Sequence, residues 1–328
     1  MPNETTRQRP FDRSRATPYT RFIVPINNPL GSFVTLTPEA AYSSDSITPN
    51  VPTPPIDPNN PPWGIGGAFL VWFASLLLLA IVPLLFVVPY ALHSGLNLSD
   101  PAFVRSMAEL AISDRTAILL QVVSLLPTHV LTFVLVWALV TRFGRLPFLP
   151  TIGWGWSPRL GMWASIGVGV ALFVVSTALA KLLGAEKPTQ LEQIINSSAA
   201  ARYAIAFLAV FTAPFIEEFI YRGILYAALQ RFVGAVGAGL FVLGLFTLIH
   251  VPQYWPNYGV LAAVLLLSIA LTIVRAVTGR LLPCIVIHLV FNGITSVILL
   301  FESFRPPPTP LPDPTAFAVL FLARLGLN

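Results

Sequence analysis

The sequence predicts an all-α fold: a polytopic integral membrane helical bundle of about seven or eight transmembrane helices, with a disordered N-terminal tail. Of its 328 residues, 55% are hydrophobic and only 10% are charged, whereas an ordinary soluble domain has about 25% charged residues. The apolar residues also form long blocks, and a helix that crosses the bilayer core needs about 20 such residues. A water-soluble fold is excluded, because so few charges could not cover its surface.

The first predicted domain, residues 1–62, is an aqueous tail rich in arginine and proline. Five arginines lie in it: Arg7, Arg9, Arg13, Arg15 and Arg21. Its low hydrophobicity predicts disorder. The net charge of +5 does not indicate a nucleic-acid partner, because the arginines lie in this tail or flank apolar blocks, where they set the orientation of a protein in the lipid bilayer.

Seven apolar segments follow the tail: residues 64–92, 116–141, 160–180, 203–229, 232–249, 258–274 and 281–300. The fifth and sixth are short for a span, so we expect their helices to extend into flanking polar residues. Residues 63–200 are assigned to a domain of N-terminal transmembrane helices and 201–300 to a catalytic core. Within the former, Thr189-Gln-Leu-Glu192 has the form of a capping box and predicts an amphipathic interfacial helix. Residues 301–328 combine a proline-rich stop with a short apolar segment, which we expect to form a partial or interface-lying eighth helix.

The distribution of arginines predicts a cytoplasmic N-terminus. The tail arginines precede the first segment, and alternate crossings then bring further ones to the same side: Arg142, Arg145, Arg159, Arg231, Arg275 and Arg280. Positive residues are enriched on the cytoplasmic side of membrane proteins. We therefore expect a multi-pass protein of a bacterial inner membrane.

The acidic residues point to a site within the membrane. Of fourteen Asp and Glu, only Glu217 and Glu218 lie inside an apolar segment, where a charge costs at least roughly 2.5 to 3.5 kcal/mol. Glu218 and Arg222 are four residues apart, so on a helix they share a face and should pair. Glu217 lies about 100° around the helix from Glu218 and points elsewhere. It is the freer carboxylate and the better candidate for a general base.

Two further segments carry polar pairs that could reach the same place. Phe246 and His250 share one helical face, and so do His288 and Asn292. Peptide-bond hydrolysis needs a base that activates water and donors that stabilise the oxyanion. Glu217 with His250 could supply the first function, and His288 with Asn292 the second.

Three motifs of this sequence resemble, in order, those of the CAAX protease and bacteriocin-processing (CPBP) family: Glu217-Glu218-Phe-Ile-Tyr-Arg222, Phe246-x-x-x-His250 and His288-x-x-x-Asn292. The resemblance covers roughly residues 202–300. It implies an intramembrane endopeptidase related to the eukaryotic type II prenyl-protein CAAX endopeptidase, with a site that opens toward the cytoplasm and a substrate embedded in or anchored to the membrane. It also implies that Glu217 and His250 activate water, that Arg222 holds Glu218, and that the third motif stabilises the oxyanion.

Other functions remain as alternatives. No cofactor is expected, but His250, His288 and Glu217 could form a zinc site, since catalytic zinc takes three such ligands and a water; the sequence has no His-Glu-x-x-His motif. Buried Glu and His also serve as proton relays in transporters, and a scaffold or immunity protein could keep the fold without catalysis.

His129 is the remaining histidine inside an apolar segment. It follows Pro127 by two residues. A proline kink frees backbone groups that neighbouring polar side chains engage, so we expect a structural role for His129.

Overall fold

The computed structural model describes residues 57–184 and 189–302, and every regular element in these ranges is a helix. The α-helices are α1 Ile65–His93, α2 Phe103–Ser113, α3 Arg115–Thr141, α4 Phe148–Ile152, α5 Met162–Leu182, α6 Gln190–Ser197, α7 Ala199–Phe211, α8 Ala213–Glu218, α9 Tyr226–Tyr254, α10 Tyr258–Thr278 and α11 Leu282–Glu302. A π-helical turn, Phe219–Leu225, connects α8 to α9. The all-α prediction is confirmed. The disorder predicted for residues 1–56 and the partial helix after residue 302 fall outside the described residues.

Six helical runs in the described ranges are long and apolar enough to cross a membrane: Ile65–His93, Arg115–Thr141, Met162–Leu182, Ala199–Tyr254, Tyr258–Thr278 and Leu282–Phe301. The fourth run has 56 residues and would be about 84 Å long if straight, far more than the roughly 30 Å of hydrocarbon. Gly234 breaks it with φ 70° and ψ 172°. The rings of Tyr221 and Phe246, on either side of this break, lie 5.2 Å apart. This contact shows that the chain turns back at Gly234. This run therefore contains two spans, and seven membrane crossings result.

Six arginines lie at one end of the bundle, called here the arginine-rich end: Arg142, Arg145, Arg159, Arg231, Arg275 and Arg280. Three of them donate hydrogen bonds to the backbone that precedes α1. Arg275 donates to the Pro58 carbonyl, Arg231 to that of Pro61 and Arg142 to that of Pro62. The last residues of the predicted tail are thus bound to the membrane bundle. The opposite end carries α2, α6 and the C-terminus of α9.

Polar side chains begin two helices at this opposite end. Asp114 accepts a hydrogen bond from the Ala117 amide at 2.8 Å, and this bond lowers the pKa of its carboxyl group. Thr189 and Glu192 form the predicted capping box, with reciprocal side-chain to backbone bonds of 3.1 and 2.9 Å. The capping box fixes the start of α6, a short helix that is not itself a hydrophobic span.

A close contact between α5 and α11 holds the helix that bears the third motif. A Cβ atom added at Gly169 would lie 2.8 Å from Cβ of Val290, too close for any residue but glycine. Small residues let transmembrane helices approach in this way. Gly169 therefore fixes the position of the α11 turn between His288 and Asn292.

Candidate active site

The two adjacent glutamates lie at the end of α8 and face different surroundings. The Glu218 side chain is completely buried, whereas 23% of the Glu217 side chain is exposed. The π-helical turn begins at the next residue, and such turns are frequent at functional sites. Glu217 is the more accessible carboxylate, as the sequence indicates.

Glu218 is paired with Arg222, and both side chains are completely buried. Arg222 Nη1 lies 2.9 Å from Glu218 Oε1, which confirms the predicted pair. Arg222 Nη2 also donates to the carbonyl and hydroxyl oxygens of Ser268 on α10, at 3.1 and 2.9 Å, and the guanidinium lies 4.6 Å from the ring centre of Phe246. These contacts compensate the loss of hydration that a buried ion pair suffers.

His288 lies between the two carboxylates. Its Nδ1 is 3.0 Å from Glu218 Oε1, and its Nε2 is 3.7 Å from Glu217 Oε2. An ionised carboxylate only accepts hydrogen bonds, so Nδ1 carries a proton, and Nε2 can donate only when the ring is an imidazolium.

His250 has a defined tautomer. Its Nδ1 lies 2.7 Å from the Phe246 carbonyl oxygen, one turn earlier on α9. A carbonyl oxygen cannot donate, so Nδ1 donates and Nε2 of the neutral ring is an acceptor. The ring also packs on Phe246, with centroids 4.6 Å apart. Phe246 thus orders both Arg222 and His250, a role that its position in the second motif does not by itself reveal.

Asn292 uses one of its amide hydrogens within the protein. Its Nδ2 donates to the Ala209 carbonyl of α7 at 2.9 Å. An asparagine amide has two N–H groups, so one is left for another partner. This bond connects α11 to the last turns of α7, just before Glu217.

A cavity of about 340 Å³ brings the candidate residues of three separate spans together. Four of them line it: Glu217, His250, His288 and Asn292. Glu218 and Arg222 lie behind this wall. Much of the remaining lining is apolar and includes Leu76, Leu125 and Leu208.

The cavity extends toward the end of the bundle opposite to the arginines. Gln190 and Ile194 of α6 and Tyr254 at the end of α9 line it there. The sequence predicted both a cytoplasmic arginine-rich end and, by resemblance, a site that opens toward the cytoplasm. These two expectations disagree in this structure.

The structure also places His129 in the wall of the cavity. From the sequence we expected only a structural role for this residue, beside Pro127. Its Nδ1 lies 2.8 Å from Thr212 Oγ1, so its partner is a hydroxyl on another helix and not a carbonyl freed by the proline. The signal was available in the sequence, because an ionisable residue inside a span is a functional candidate by default.

The side chains do not converge on a metal position. Within residues 57–184 and 189–302, no group of three or more His, Cys, Asp or Glu lies close enough together to hold a metal ion. His250, His288 and Glu217 therefore do not have the arrangement that catalytic zinc requires.

One region of the chain matches a known protein family. Residues 199–294 match the model of a family described as type II CAAX prenyl endopeptidase Rce1-like. The matched range contains all six candidate site residues and excludes the first three spans. No curated protein and no solved structure matches the chain.

Proposed function

We propose, from the membership of residues 199–294 in the Rce1-like family of type II CAAX prenyl endopeptidases, that this chain hydrolyses a peptide bond in a substrate embedded in or anchored to the membrane. One observation carries the proposal. Glu217 is the partly exposed member of the acidic pair and lines the cavity together with His250, His288 and Asn292. A general base, acceptors and oxyanion donors thus share one enclosed space.

Glu217 is the proposed base. It removes a proton from water while the water oxygen attacks the carbonyl carbon of the substrate. His250 assists, since its Nε2 is an acceptor that can orient the same water. A carboxylate that lines the cavity suits this step, because a general base must lie within reach of the water that it activates.

The oxyanion formed by this attack needs fixed donors. Asn292 offers its second N–H, and His288 offers Nε2–H when its ring is protonated. Such donors are strong in a site of low dielectric constant because they need no reorganisation. Collapse of the tetrahedral intermediate then breaks the C–N bond, and Glu217 returns its proton to the leaving amine.

Glu218 acts through His288 and is a positioning residue. Its Oε1 accepts from both Arg222 and His288, so it fixes the orientation of the imidazole ring. The proposed mechanism gives each step to a side chain and needs no cofactor. A proton pathway receives less support, because the family model that matches residues 199–294 describes an endopeptidase.

Cleavage of a defined peptide tests the proposal. The purified full chain in lipid nanodiscs is given a fluorogenic prenylated peptide that ends in Cys-aliphatic-aliphatic-X, together with its unprenylated form. Wild-type protein should cleave at least one, and Glu217→Gln should not. Glu109→Gln is the matched control, because Glu109 lies on the exposed surface of α2 and pairs only with exposed Arg105. Equal cleavage by Glu217→Gln and wild type would refute the proposal.

A further inference from the structure

His129 has a defined tautomer, like His250. The Thr212 hydroxyl lies 3.2 Å from the Leu208 carbonyl oxygen and 2.8 Å from His129 Nδ1. The hydroxyl has one proton. If it donates that proton to Leu208, it can also accept from Nδ1–H, and both hydrogen bonds form; the reverse arrangement makes only one. The neutral ring therefore carries its proton on Nδ1, and Nε2 is an acceptor.

The second ring nitrogen is available to a ligand. His129 is only half-buried and lines the cavity. Among the described residues, Thr212 is its one hydrogen-bond partner. If His129 only tethered α3 to Thr212, the hydrogen bond of its Nδ1 would be sufficient and its Nε2 would have no role.

His129 and Asn292 lie on different walls of the cavity, formed by α3 and α11. In the described ranges α3 and α11 do not contact each other, yet both pack against α7 and α8. Both side chains are also tied to the end of α7, Asn292 through the Ala209 carbonyl and His129 through Thr212. Glu217, five residues after Thr212, lies on α8, which packs against both α3 and α11.

The two walls differ in chemistry. The α11 wall presents a hydrogen-bond donor, the second N–H of Asn292, and His288 adds Nε2–H when its ring is protonated. The α3 wall presents an acceptor, His129 Nε2. In an extended peptide bound over Glu217, the N–H and C=O groups of one residue point to the same side, and those of the next residue point to the opposite side. Inside a bilayer each of these groups needs a partner from the protein.

We infer that His129 is a substrate-binding residue: its Nε2 accepts a hydrogen bond from a backbone N–H of the peptide and holds the chain extended, with the scissile carbonyl against Asn292. The inference rests on the proposed function and adds a ligand group for the α3 wall. The N–H in question belongs to the residue before the one that carries the scissile carbonyl, because this N–H points away from the Asn292 wall. We expect an effect on binding with little effect on the chemical step.

The test compares peptides in which each non-scissile N–H of the prenylated probe is replaced in turn by an ester oxygen. His129→Leu should raise KM for the amide peptide about 10- to 100-fold, the effect of a buried N–H left without its acceptor, with kcat changed by less than about threefold. His129→Gln, which retains an acceptor, should recover most of this loss. The ester peptide that lacks the N–H bound by His129 should bind wild type weakly, and His129→Leu should not weaken its binding further. Equal losses for every ester peptide in both proteins would overturn the inference.

Thr212→Val separates binding from tethering. This variant removes the partner of Nδ1 but leaves Nε2 in place, so its KM should rise much less than that of His129→Leu. If the two variants lower the melting temperature and kcat alike and leave KM unchanged, His129 is only a tether and the inference is wrong.

Binding of the same peptides to Glu217→Gln and to the Glu217→Gln, His129→Leu double variant, measured by fluorescence anisotropy, tests the inference without turnover. Absence of cleavage by wild type counts against the proposed function alone. Equal dissociation constants for the two variants count against the role of His129 alone.

Discussion

His288 Nδ1 lies 3.0 Å from Glu218 Oε1, the same oxygen that accepts from Arg222 Nη1 at 2.9 Å. One oxygen of the second glutamate is therefore bound by two side chains of the protein. The first glutamate is the one at the cavity. Two adjacent residues of one chemistry thus have different surroundings, because the helix directs them to different sides.

Glu217→Gln should abolish turnover and leave the fold intact. A general base contributes about 10²- to 10⁴-fold to a rate, and the amide keeps the size of the side chain while losing its charge. We expect a loss in that range, with an unchanged melting temperature. The measurement is peptide cleavage combined with thermal unfolding in detergent. A large fall in melting temperature would show that Glu217 is structural.

Arg222→Ala should destabilise the protein as well as inactivate it. The substitution leaves the Glu218 carboxylate buried without its guanidinium partner, and removal of one member of a buried pair costs about 3 to 5 kcal/mol. We expect low yield and early unfolding. Arg105→Ala is the control, because its pair with Glu109 is exposed and should contribute little. Normal stability of Arg222→Ala would contradict the assignment of structural and catalytic acids.

The local relationships of the site could be predicted from the sequence, and the distant ones could not. The Glu218–Arg222 pair and the shared face of Phe246 and His250 follow from helical periodicity. The contact between His288 and Glu218 joins residues 70 positions apart, and that between His129 and Thr212 joins residues 83 apart. Such contacts depend on how the spans pack. The π-helical turn after Glu218 also has no sequence signal that we recognise.

Asn292→Ala should slow the chemical step much more than it weakens binding. Loss of one oxyanion donor typically lowers kcat by about 10²- to 10³-fold. The bond to the Ala209 carbonyl is lost as well, so we also expect a modest fall in melting temperature. Thr295→Ala, an exposed position on the same helix, controls for substitution of α11. An increase in KM with unchanged kcat would assign Asn292 to substrate binding.

Activity should survive strong chelators. The proposed steps use only side chains, and the described histidines and acids do not gather into a metal site. Dialysis against EDTA or 1,10-phenanthroline should leave cleavage of the prenylated peptide unchanged. Loss of activity that zinc restores would favour the zinc alternative, with His250, His288 and Glu217 rearranged as ligands.

The side of the membrane that the cavity faces can be tested with single cysteines. Cys284, the one cysteine of the chain, is buried, so Cys284→Ala gives a background without thiols. Ser99 lies in an exposed loop at the end toward which the cavity extends, and Pro158 is exposed at the arginine-rich end. If positive residues face the cytoplasm, an impermeant maleimide added to intact bacterial cells should label Ser99→Cys, and should label Pro158→Cys only after permeabilisation. The cavity would then face away from the cytoplasm, contrary to what the family resemblance implies. The reverse labelling pattern would refute the orientation predicted from the arginines and give the site a cytoplasmic opening.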